Sequence, residues 1–226
     1  MRLSPRAVTF LTLASAAAVA VPVTLAATGG NGTPANKAVA AGSTVEVIQP
    51  QKTEPILFAT FKTSKPEDLL IGVSLECSIL TDVSIQGGSD VHGATSSARG
   101  AIKVWVELDG TIVPITDASA PPQDPNAQRA GTEADKVTFC DRLHERTVTD
   151  AENGSDGIDS SRDYQDTKSA NAFNWVRLNA GSGMHTLVVK AQFSSNVVGT
   201  ANADGYIGNR TLVIEPTKLA NDALIG

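Results

Sequence analysis

Residues 102–115 read IKVWVELDGTIVPI, and this stretch decides how the sequence is expected to fold. Apolar side chains occupy every second position from Ile102 to Leu108, and a period of two is typical of a β-strand with one buried face. Asp109-Gly110 follows, which is a strong signal for a two-residue hairpin turn. The turn pairs Val106 with Val113 and Val104 with Ile115, so one face of the hairpin is uniformly apolar.

The return strand of this hairpin carries Pro114, which cannot donate a hydrogen bond to a β-ladder. The strand from Ile112 to Ile115 is therefore expected at a sheet edge. Trp105 lies on the face opposite to the apolar row, where it is either an exposed platform or covered by a long loop. Trp105, Ile112 and Pro114 are thus the candidates for contact with a surface protein, a glycan or a second copy of the chain.

Similar patterns recur along the rest of the chain. A second hairpin is predicted where 173–178 is followed by Gly181-Ser182-Gly183 and by alternating apolar residues from Leu187 to Phe193. Further strands are predicted at 44–48, 56–62, 71–80, 136–148 and 210–214. Eight or more strands without a long helix favour an all-β fold, an antiparallel β-sandwich of the immunoglobulin-like or jelly-roll kind. Only the capping-box spacing from Ser64 to Glu67 indicates helix, as one turn over 67–71.

The N-terminal region divides into two segments. Residues 1–27 have two arginines followed by an apolar, alanine-rich run that ends in small residues, as in a secretory signal peptide. Cleavage near Ala27 is expected, with retention as an N-terminal anchor as the alternative. Residues 28–43 hold almost no large apolar side chain and are predicted to form a flexible linker. A single β-sandwich domain is expected over 44–226.

The chain contains two cysteines, Cys77 and Cys140. In an exported protein an isolated pair is most simply one disulfide, since a metal site or a catalytic thiol would need partners at local spacing. Cys77 shares its strand parity with apolar Val73 and Leu75, whereas Cys140 lies opposite to its apolar neighbours. A bulge near Cys140, or a bridge outside the main core, is therefore expected.

Charge and hydropathy narrow the classes of partner. The formal net charge is −6 and the basic residues are not clustered, which disfavours nucleic acid as a partner. No later apolar run is long enough to span a membrane, so no span is expected after signal cleavage. The protein is therefore predicted to be secreted or associated with the cell envelope.

Two linkers, 117–135 and 150–170, exceed ordinary hairpin length. The second is rich in Asp, Ser and Gly, and flexible oxygen-rich loops can coordinate Ca²⁺. Its weak candidate ligands are Asp150, Glu152, Asp156 and Asp159. Their spacing does not fit an EF-hand, so a solvated loop is the preferred interpretation and no cofactor is predicted.

Catalytic motifs are not found at local spacing. His92, His144 and His185 lie on separate segments, and His144-Glu145 lacks the second histidine of a zinc-protease motif. No nucleophile elbow occurs, although a Ser-His-Asp triad can be dispersed along a sequence. The expected function is therefore that of an exported, non-catalytic protein with a structural or surface-binding role.

Two alternatives from other classes stay open. A secreted hydrolase or carbohydrate-active enzyme on a jelly-roll scaffold would use His144, His185 and loop carboxylates as its acid–base groups, and these would have to converge in one cleft. A Ca²⁺-dependent adhesin would instead use the acidic loop.

Overall fold

The computed structural model describes residues 37–85, 94–115, 135–149 and 160–217. Within these ranges the chain forms eleven β-strands and no helix. In chain order they are β1 (Ala38–Gly42), β2 (Glu46–Ile48), β3 (Thr53–Thr63), β4 (Glu67–Ser84), β5 (Ala94–Leu108), β6 (Thr111–Ile112), β7 (Val137–Thr149), β8 (Ser160–Ser169), β9 (Ala172–Ala180), β10 (Gly183–Val198) and β11 (Thr200–Thr217).

The strands form two antiparallel sheets that pack against each other, which confirms the predicted β-sandwich. Sheet A has the order β1-β11-β4-β9, with the short β2 also paired to β11. Sheet B has the order β3-β10-β5-β7-β8, with β6 paired to β5. Between the sheets lies one apolar core, in which Leu69, Trp175, Ile102 and Leu187 are fully buried.

The turn of the Asp-Gly hairpin forms as predicted, but the return strand after it is shorter than predicted. Asp109 and Gly110 have φ values of 52° and 80°, the positive pair that a type I′ turn requires. The Val113 amide donates to the Val106 carbonyl at 2.8 Å, as the predicted register demands. Beyond Pro114, however, the predicted pairing of Val104 is wrong, because Val104 pairs with Val137 of β7.

The predicted second hairpin is wrong, because its two strands lie in different sheets. Strand β9 pairs with β4 in sheet A, and β10 pairs with β3 and β5 in sheet B. Residues 181–182 therefore connect the sheets as an arch. Trp175 and Leu187 meet the same core from opposite sides, and an apolar alternation looks the same in both arrangements.

The disulfide and the bulge are both present. Cys77 of β4 is bonded to Cys140 of β7, so the bridge links the two sheets. The β5–β7 register shifts between Ile102, which pairs with Cys140, and Lys103, which pairs with Thr138. Phe139 is the extra residue, and this bulge lets Phe139 and Cys140 both be buried.

Three segments differ from the sequence prediction. The helical turn predicted over 67–71 is wrong, since β4 begins at Glu67 and buries Leu69 in the core. Strand β1 lies within the predicted linker 28–43, so regular structure begins before Thr44. Strand β8 lies within the long predicted loop 150–170. It was not recognised because polar residues occupy both of its faces, which leaves no alternation to read.

The predicted signal peptide, residues 1–27, lies outside the described residues. In the part of the chain that the structure describes, there is no helix long and apolar enough to cross a membrane.

Candidate functional site

One end of the sandwich holds a cluster of polar side chains around His185. Strand β3 ends at Thr63, the β5–β6 turn presents Asp109, and β10 begins two residues before His185. The His185 Nδ1 atom lies 2.7 Å from Asp109 Oδ2, and its Nε2 atom lies 2.9 Å from the Gly181 carbonyl oxygen. The Thr63 hydroxyl donates to the same carbonyl at 2.6 Å. We call these four residues the His185 cluster.

The cluster favours the protonated form of His185. A carboxylate and a carbonyl accept hydrogen bonds only, so both ring nitrogens must carry a proton to donate to them. Burial alone would lower the pKa of His185, but the hydrogen bonds to Asp109 and Gly181 and the carboxylate charge raise it above 6.5. Burial would likewise raise the pKa of Asp109, but His185 and the Thr186 amide lower it below 3.8.

The order Asp109, His185, Thr63 is that of a nucleophilic triad, with Thr63 Oγ1 3.1 Å from His185 Nε2. Two features oppose catalysis. The Thr63 side chain is only 2% exposed and its hydroxyl donates to Gly181, so substrate cannot reach it. A protonated imidazole also cannot accept the nucleophile's proton. The cluster therefore ties three segments together at one end of the sandwich.

The other described histidine lies far from this cluster. His144 of β7 pairs across the sheet with Ala98, and Ala98 pairs with Val197 of β10. The stretch of β10 from His185 to Val197 spans roughly 40 Å in extended conformation. The two histidines therefore do not converge in one cleft, as the hydrolase alternative requires. His92 lies outside the described residues.

Trp105, a predicted surface candidate, is buried instead. It is 4% exposed, and the Lys136 ammonium lies 4.5 Å from its ring centroid. Its Nε1 atom donates to Glu107 Oε1 at 3.1 Å. Burial would raise the pKa of Glu107, but hydrogen bonds from Lys190 and Trp105 lower it. Trp105 is thus buried and is not an exposed aromatic platform, while the long loop predicted to cover it lies almost entirely outside the described residues.

The remaining edge candidates offer a small surface. Strand β6 has only two residues, Thr111 and Ile112, and both Ile112 and the nearby Pro114 are half-buried. Val113 between them is fully buried. The predicted edge is therefore too short to pair with a long partner strand.

One free strand edge belongs to β4, an inner strand of sheet A that β9 covers only in part. Strand β9 covers this edge only from Glu67 to Ser74, and the Leu75 amide then donates to the Asn171 carbonyl at 3.1 Å. From Cys77 to Val83, no strand of the described residues pairs on this side, although β11 pairs with β4 on the other side. We call this stretch the β4 free edge.

Sheet B extends beyond sheet A at the β4 free edge. Among the described strands, β4 packs on β5 and β7, while β8 packs mainly on β7. Every β8 side chain from Ser161 to Ser169 is exposed. The inward faces of β7 and β8 thus form an overhang, which we call the polar shelf. Its residues are Arg142, His144, Arg146, Asp163, Gln165 and Thr167.

A shallow groove of about 290 Å³ lies on the outer face of sheet A. It exists because Gly72 has no side chain between Leu70 and Ser74. A Cβ atom there would lie 3.0 Å from Asn174 Oδ1. The groove is lined mainly by neutral side chains and does not assemble catalytic groups.

The part of the acidic loop that could coordinate Ca²⁺ is not among the described residues. The calcium candidates Asp150, Glu152, Asp156 and Asp159 all lie outside the described residues. Within the described residues, no group of three or more His, Cys, Asp or Glu side chains is arranged to hold a metal ion.

The fold and its geometry define a disulfide-linked antiparallel β-sandwich in which part of an inner strand, β4, has a free edge. No protein-family model matches the chain, and no curated protein matches it.

Sequence reasoning missed both the His185 cluster and the β4 free edge. Thr63, Asp109 and His185 come from three distant segments, and no local spacing connects them. The polar shelf did leave a signal: Arg142, His144 and Arg146 share the parity of Cys140, so polar residues occupy the core-facing side of β7. Such a pattern indicates a strand that extends beyond the opposite sheet.

Proposed function

We propose that the protein is an exported, non-catalytic β-sandwich that acts by surface contact in the extracellular space or the cell envelope. The observation that carries this proposal is the way the described histidines are used. His185 donates from both nitrogens within the scaffold, its neighbouring hydroxyl is buried, and His144 lies roughly 40 Å along the strands. These contacts support a structural role for His185, which holds chain segments in place, rather than a role in catalysis.

Export is supported by two independent features. The N-terminal segment has the composition of a signal peptide, and the Cys77–Cys140 bond needs an oxidising compartment to persist. Intact mass of the protein recovered outside the cell, before and after reduction and alkylation, tests both. A mass beginning near Thr28, with thiols that react only after reduction, is expected. Retention of residue 1 or free thiols in the native protein would contradict export as proposed.

A secreted hydrolase is the second candidate, because the His185 cluster has the order of a triad. Hydrolysis of p-nitrophenyl acetate by the wild type, Thr63→Val and Thr60→Val separates the two functions. Thr60 is exposed on the same strand and serves as the matched control. We expect the same background rate for all three proteins. Turnover that Thr63→Val abolishes and Thr60→Val preserves would replace the non-catalytic proposal with the hydrolase.

A further inference from the structure

We propose that the β4 free edge, from Cys77 to Val83, binds an extended acidic segment of a partner protein, which adds to sheet A as a strand beneath the polar shelf. The inference deepens the proposed function and rests on it, because it names the surface through which contact is made.

The backbone of the β4 free edge is arranged for strand addition. Alternate residues of an antiparallel strand direct both their N–H and C=O groups to the same side. The Leu75 amide points away from β11, toward Asn171. The same direction therefore applies to Cys77, Ile79, Thr81 and Val83. Within the part of the chain that the structure describes, these backbone groups are unpaired and face the space that an added strand would occupy.

The polar shelf covers that space from one side. β7 and β8 continue the inner face of sheet B past β4. The disulfide fixes Cys77 of β4 opposite Cys140 of β7. Thr81 and His144 each lie four residues further along these strands, so they lie on the same side of the disulfide. A strand added to β4 would thus have one face toward the shelf and the other toward solvent.

Unsatisfied polar atoms concentrate here. Thr81 Oγ1, Arg142 Nε and His144 Nδ1 are buried, and none of the three has a hydrogen-bond partner among the described residues. Only two other buried side-chain atoms of the described residues are in this condition, both on β9. Buried polar groups are costly when unpaired, so three of them beside one free edge indicate a site that a ligand completes.

The charge of the shelf selects an acidic segment. His144 Nε2 lies 3.0 Å from Asp163 Oδ1, so the one carboxylate of the polar shelf already has a partner in His144. Arg142 donates only to the neutral Gln165, and Arg146 forms no ion pair within the described residues. Two guanidinium groups are therefore free to pair with carboxylates on the inward face of an added strand.

A single segment fits this place better than a second copy of the chain. Two copies joined at their β4 edges, by a two-fold axis perpendicular to the sheet, would both bring their β7–β8 overhangs to the same side. The overhangs would then occupy one another's space, whereas an isolated strand passes beneath one of them.

The test uses two synthetic peptides, acetyl-(Thr-Glu)₄-amide and acetyl-(Thr-Lys)₄-amide, added to the exported protein and followed by the NMR signals of its backbone amides. We expect the glutamate peptide to shift and protect the amides of Ile79 and Thr81. The lysine peptide should bind at least about fivefold more weakly. Arg142→Gln should weaken the glutamate peptide by about the same factor. Lys168→Gln, the same charge change on the opposite face of β8, should change binding less than about twofold.

Three outcomes would overturn the inference: no binding of either peptide up to about 1 mM, equal binding of both, or amides of Ile79 and Thr81 that are already protected in the free protein. The last would mean that the chain covers its own edge. None of these results bears on export or turnover, which the mass and hydrolysis measurements report separately.

Discussion

The Nδ1 atom of His185 lies 2.7 Å from the Oδ2 atom of Asp109, and this contact joins the start of β10 to the hairpin turn after β5. Asp109 also accepts from the Thr186 amide at 2.8 Å through its other carboxylate oxygen. The turn is thereby fixed to the neighbouring strand by both oxygens of one side chain. Because His185 is charged in this arrangement, the stability of the fold depends on pH.

We expect His185→Gln to lower the free energy of unfolding by about 1–3 kcal/mol at pH 5.5. The folded state raises the pKa of His185, so its contribution is complete below the ordinary value of 6.5 and is lost as the pH rises through the folded value. The folded state lowers the pKa of Asp109, so that contribution is present above 3.8 and is lost as the pH falls through the folded value.

Urea unfolding of wild type and His185→Gln between pH 3 and pH 9 measures this dependence. The difference in the free energy of unfolding between wild type and His185→Gln should be largest between about pH 4 and 6.5. Met184→Gln, an exposed change at the adjacent position, should differ from wild type by less than about 0.5 kcal/mol throughout. A His185→Gln difference that does not vary with pH would contradict the charged assignment.

Phe193 packs between glycines of the two sheets. A Cβ atom on Gly205 of β11 would lie 2.6 Å from the Phe193 ring, and one on Gly100 of β5 would lie 2.8 Å from it. We expect Gly205→Ala to lower the free energy of unfolding by about 1–3 kcal/mol through this overlap. Gly181→Ala is the control, because its added Cβ has no atom within 4 Å. Equal stability of the two variants in urea would refute the packing argument.

The Cys77–Cys140 bond closes a separation of 63 residues. In the chain-entropy account, such a loop stabilises the folded state by roughly 4 kcal/mol. The double variant Cys77→Ala/Cys140→Ala should therefore unfold at a lower guanidinium concentration, with a loss of about 2–4 kcal/mol. A midpoint unchanged from the oxidised wild type would show that the bond adds no stability.

The side chain of Arg210 is buried. It donates to the carbonyls of Ile56 at 2.8 Å and Thr44 at 2.7 Å, and it pairs with Glu46. We expect Arg210→Met to cost about 3 kcal/mol, because these acceptors would be left unpaired. Glu46→Gln keeps an acceptor oxygen and should cost about 1 kcal/mol. Thermal or urea unfolding measures both losses of stability. A loss for Glu46→Gln as large as that for Arg210→Met would contradict this account of the buried acceptors.

The sequence by itself determined the all-β class with most of its strands, the two-residue turn at Asp109-Gly110, and the pairing of the only two cysteines. These properties depend on local chemistry: a period of two, the tolerance of positive φ, and the number of thiols. Even the bulge at Phe139 could be predicted, because the parity of Cys140 conflicts with that of its apolar neighbours.

Only the tertiary structure decided which strands share a sheet. The alternation of β9 and β10 is the same whether the strands pair side by side or face each other across the core. Burial of Trp105, the convergence of Thr63, Asp109 and His185, and the free edge of β4 all depend on that choice. The physical reason is that alternation records which side of a strand is buried, whereas hydrogen-bond partners come from segments that are distant in sequence.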